Sequence, residues 1–263
     1  MKSIKIYALA LGLLAVFAGC QNDVVKPLEN DKEAPAPVRD VTYTKMSGSV
    51  LLTYTLPSDP DLLYVAASYT NKAGKKYEFK ASYFTNTLLV EGFGDTDTYS
   101  LDVYAVDRSE NYSEPVNIQV AADTPPVQAA YETLEVQPDF GGMTFSFDNA
   151  SKADLTVYVS TPNADNEMVN AETFYTGLAK ATFSVRGFLD VPRDFEICFE
   201  DKWGNRSPVK KENLTPIYEA ELDKKKFKEV ILPGDFPCTF YESKMEYIWD
   251  GRAAADGDGQ TGA

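Results

Sequence analysis

The sequence predicts an all-β protein: two tandem sandwiches, followed by a short helix and the start of a third unit. Three observations carry that reading. The first is an internal repeat, in which residues 82–116 recur as residues 173–209. Val90-x-Gly92-Phe93 matches Val185-x-Gly187-Phe188, Leu101, Val103 and Ala105 match Phe195, Ile197 and Phe199, and Asp107, Asn111 and Ser113 match Asp201, Asn205 and Ser207. The second is strict alternation, with Tyr99, Leu101, Val103 and Ala105 on one face and Ser100, Asp102 and Tyr104 on the other. The third is the regular spacing of turn residues between short runs, the pattern of a sandwich.

Taken in order, the first element is a leader over residues 1–19. Lys2 and Lys5 precede the apolar run Ile6–Phe17, and Ala18-Gly19-Cys20 follows. Such a run is too short to span a bilayer as a helix. The small pair before Cys20 resembles a bacterial lipobox, with Phe17 where leucine is usual. The resemblance implies cleavage before Cys20 and a lipid on its thiol. An ordinary signal peptide or a membrane anchor is the alternative. Residues 20–36 are polar, hold two prolines and lack an apolar period, so they read as a tether. Asp23 resembles weakly the acidic surface-export signal of Bacteroidota lipoproteins, which leaves the cell surface and the periplasmic face both open.

The first sandwich is expected over residues 37–122. Its strands are Ser49–Thr55, Leu63–Thr70, Tyr77–Ser82, Thr87–Glu91, Tyr99–Val106 and Val116–Val120, with Asn71-Lys72-Ala73-Gly74 closing one hairpin. The repeat places the second sandwich at 125–214, after the junction Thr124–Pro126. Residues 215–263 read as a linker helix and the start of a third domain. Thr215 is the expected N-cap, Pro216 the first helical residue, and Lys224–Lys226 the end that suits the dipole.

The motif Leu-Val-x-Gly-Phe, then Thr-x-Tyr-x-Leu-x-Val-x-Ala-x-Asp, then Asn-x-Ser-x-Pro resembles the second half of a fibronectin type III domain, an immunoglobulin-like sandwich. The resemblance puts Tyr99 at that fold's corner, its hydroxyl tied to upstream backbone. Tyr54 stands where the fold usually keeps a core tryptophan. The whole arrangement is similar to Bacteroidota outer-membrane lipoproteins with two such domains of unknown function before a discoidin-like, galactose-binding-like domain. That resemblance implies a lipid-anchored component of a glycan-utilisation system. Trp249-Asp250-Gly251 resembles the opening of the third domain. Only residues 252–263 follow it, so that domain is expected to be truncated.

Composition narrows the chemistry. The chain has 263 residues and a net charge of −15, which makes nucleic acid an unsuitable partner. Aromatic residues make up 13%, which suits half-buried strands as well as stacking on sugars. There is no histidine, so Ser-His-Asp and Cys-His mechanisms and histidine-based zinc sites are excluded. Carboxylate-only catalysis survives, but no pair is singled out: Asp59/Asp61 and Glu200/Asp201 are near neighbours in sequence, not a pair fixed across a cleft. No catalytic residue, metal or cofactor is expected.

Asp107, Asn111, Asp201 and Asn205 read as structural turn residues, since Asx side chains cap backbone two residues on. Calcium needs more acidic ligands than recur in each loop. Trp203, on a turn tip, is a candidate sugar platform or else a cover for the sandwich edge or the neighbouring domain. Trp249 carries the same choice. Cys198 and Cys238 can pair only if the fold brings them together. Two function classes remain: a glycan-binding or spacer protein, and a structural module that docks to another outer-membrane component. The partners are then the membrane through a lipid, a polysaccharide, or an outer-membrane protein.

Overall fold

The computed structural model describes residues 31–236 apart from 221. The leader, Cys20, Cys238 and Trp249 lie outside the described residues. Two seven-stranded antiparallel sandwiches stand in tandem. The first holds β1 (Arg39–Met46), β2 (Ser49–Thr55), β3 (Leu62–Thr70), β4 (Lys76–Ser82), β5 (Thr87–Glu91), β6 (Thr98–Asp107) and β7 (Val116–Ala121). Its sheets run β1-β2-β5 and β4-β3-β6-β7. The second holds β8 (Glu135–Asp139), β9 (Gly142–Asp148), β10 (Leu155–Pro162), β11 (Met168–Thr176), β12 (Lys180–Val185), β13 (Arg193–Asp201) and β14 (Lys210–Leu214), in sheets β8-β9-β12 and β11-β10-β13-β14.

Period-two alternation builds both cores. Val50, Leu52 and Tyr54 of β2 and Leu101, Val103 and Ala105 of β6 face the first. Met143, Phe145 and Phe147 of β9 and Phe195, Ile197 and Phe199 of β13 face the second. Tyr54, in the place of the usual tryptophan, is buried, and its hydroxyl donates to the Thr87 carbonyl at 3.3 Å. Burial pushes its pKa up to about 12.

Three expectations change. Helix α1 (Pro126–Glu132) occupies what read as a bare junction, and it buries Val127 and Ala130 in the second core. The helix expected after Thr215-Pro216 does not form; among the described residues beyond it there is a single 3-10 turn, Lys224–Lys226. The reason is a better use for the backbone. Thr215, preceding proline, favours extended geometry, and Ile217 then bridges Phe140 in parallel. Ile217 N–H donates to the Asp139 carbonyl at 3.0 Å, and Gly141 N–H donates to the Ile217 carbonyl at 2.9 Å. Tyr99, finally, donates to the carboxylate of Asp95 at 3.0 Å rather than to backbone. That carboxylate also holds Lys72 and the amide of Asp97, so a side-chain hub replaces the corner's backbone acceptor.

Candidate functional site: the junction between the sandwiches

The repeated Asx turns are built alike. Asp107 Oδ1 accepts from the amides of Ser109 and Asn111, both at 2.8 Å, and Oδ2 accepts from Asn111 Nδ2. Asp201 Oδ1 accepts from the amides of Trp203 and Asn205, both at 2.9 Å, and Oδ2 accepts from Asn205 Nδ2. Ser113 and Ser207 close the strands beyond, each hydroxyl accepting an amide at 3.0 Å from Ala105 and Phe199 respectively. Ser109 and Trp203 therefore hold the same position in the two turns.

That one difference joins the sandwiches. The half-buried Trp203 reaches back into the first sandwich and packs edge-on against Tyr77, centroids 5.5 Å apart, and Phe79, 5.6 Å apart. Tyr77 hydroxyl donates to the Trp203 carbonyl at 3.4 Å, and Asn205 Nδ2 donates to the Gly92 carbonyl at 3.3 Å. Lys202 pairs with Glu91 at 3.2 Å. Gly92 is required here twice over. Its φ of +89° is a left-handed value that favours glycine, and a Cβ would come within 3.1 Å of the indole. The ring thus packs against the neighbouring domain.

Beside the indole lies an open cleft of about 640 Å³, with Ser47, Leu89 and Glu91 on one wall and Ser151, Lys152 and Asp154 on the other. Trp203 and Lys202 also line it. An aromatic edge flanked by alternating charge and hydroxyl groups is a surface on which a polyhydroxylated ligand could rest.

At the opposite end of the first sandwich, Asp31, Asp61 and Asp107 bring carboxylate oxygens within 4.8 Å of one another. Asp107 spends both oxygens on its turn, and Asp31 Oδ1 accepts from Asn111 Nδ2 at 3.1 Å. Asp61 has its pKa raised to about 6, first by a hydrogen bond shared with Asp59, then by burial and the surrounding carboxylates. The site is a self-contained acidic turn. Cys198 is half-buried on the outward face of β13, its thiol 3.5 Å from the Ser207 carbonyl. Among the described residues, no helix is long and apolar enough to cross a membrane.

Known families cover both halves. Residues 35–122 match "Domain of unknown function (DUF4959)" and residues 123–225 match "Domain of unknown function (DUF5126)". The two matches lie side by side along the chain. The boundary at 122/123 assigns α1 to the second unit, as its packing does. Among solved structures, the chain is similar to a "SusE-like protein", with 32% identity over 48% of this chain and 45% of that one, at a TM-score of 0.32. It is also similar to a two-domain fibronectin type III segment of chicken tenascin, 15% identical over 68% of this chain and 99% of that one, at a TM-score of 0.32. Scores at this level do not speak for a shared arrangement of domains. No curated protein matches the chain.

Proposed function

We propose that the protein is a non-catalytic lipoprotein of the bacterial outer membrane, anchored through Cys20, whose two sandwiches serve as a stiff spacer in a polysaccharide-utilisation system. The observation that carries the reading is the Trp203 clamp. Two domains linked only by a short connection would swivel. An aromatic contact reinforced by an ion pair and two hydrogen bonds gives the tandem one preferred direction. The leader and the polar tether supply the anchor that such an arm needs.

A second reading is favoured by the cleft beside Trp203, whose mixed lining suits a glycan contact. Isothermal titration against plant and host polysaccharides separates the two. A spacer gives no heat above weak binding, whereas tight binding abolished by Lys202→Ala moves the function onto the cleft. Release of reducing sugar would overturn the non-catalytic reading. Cys20→Ser should lose fatty-acid label and leave the membrane fraction, and protease shaving of intact cells distinguishes the surface from the periplasmic face. Label incorporated equally by the variant would sink the anchor.

A further inference from the structure

We draw no further inference here: the strongest candidate, the tyrosine cluster of Tyr64, Tyr104 and Tyr112 on the outer face of the first sandwich's four-stranded sheet, is an unpartnered surface patch, and nothing in the structure shows what covers it.

Discussion

Trp203→Ala should uncouple the two sandwiches without unfolding either. A fully buried aromatic side chain removes roughly 150–250 Å² from water, so this half-buried indole removes about 100 Å², or about 2.5 kcal/mol at ~25 cal/mol per Å². The edge-on contacts with Tyr77 and Phe79 add about 0.5–1.5 kcal/mol each. The coupling lost is then on the order of 4 kcal/mol, which exceeds what the exposed Lys202–Glu91 pair can supply, at most about 1 kcal/mol. Urea unfolding is the assay, followed by tyrosine fluorescence. The native protein should unfold in one transition, whereas Trp203→Ala should show two, with the first sandwich melting at lower urea because Tyr77 and Phe79 lose their cover. Small-angle scattering should show the pair distribution broadening in the variant. A single unshifted transition with unchanged scattering would refute the clamp and leave Trp203 free for a ligand.

Tyr99→Phe should destabilise the first sandwich by about 1.5–3 kcal/mol, the range for a hydrogen bond to a charged acceptor, read in the Trp203→Ala background as a lowered urea midpoint of the first transition alone. Gly142→Ala should prevent the second sandwich from folding, since its Cβ would stand 1.8 Å from the Val185 carbonyl oxygen across the β9–β12 pair. The near-ultraviolet signal of the first sandwich should survive that change. Asp61→Asn should alter pH dependence. The folded pKa of Asp61 is raised to about 6 from an ordinary 3.8, so the folded state holds its proton longer and stability is lost as pH rises between the two. The variant should therefore gain melting temperature over the parent at pH 7 and match it at pH 4, and an equal offset at both would refute the assignment.

Much of this fold is legible in the sequence, and the exceptions have physical causes. The repeat motifs survive because each position does one local job: Gly92 and Gly187 supply positive φ, Asp107 and Asp201 supply a carboxylate with two amides in reach, and Ser113 and Ser207 lock the strand beyond. Strands with one buried face, β2 and β6, announce themselves by alternation. β1 does not, because most of Arg39–Met46 is exposed and only Val41 and Tyr43 turn partly inward. Helix α1 was hidden by its own start, since Thr-Pro-Pro reads as a linker. The signal that could have found it is proline at the first helical positions, then Val127 and Ala130 three apart. The expected helix at Thr215 fails for the converse reason. Its caps are sound, but nothing in its sequence competes with the strand bridge that Ile217 makes to Phe140. The partner of Trp203 could not be read at all, because Tyr77 and Phe79 lie in the other domain.

The two Asx turns show how one local device acquires two consequences. In each repeat the turn grips whatever lies just before its own sandwich. Asn205 Nδ2 donates to Gly92, the rim of the preceding domain. Asn111 Nδ2 donates to Asp31 and to the Glu33 carbonyl, and Asp31 N–H donates to the Ser109 hydroxyl, so this turn holds the end of the tether. The difference is the residue two past the aspartate. Serine offers the tether only exposed hydrogen bonds, worth about 1 kcal/mol each at most. Tryptophan adds buried aromatic area and fixes the preceding domain. The joint before the first sandwich is therefore weak and the joint between the sandwiches is strong, so the tandem should move as one body.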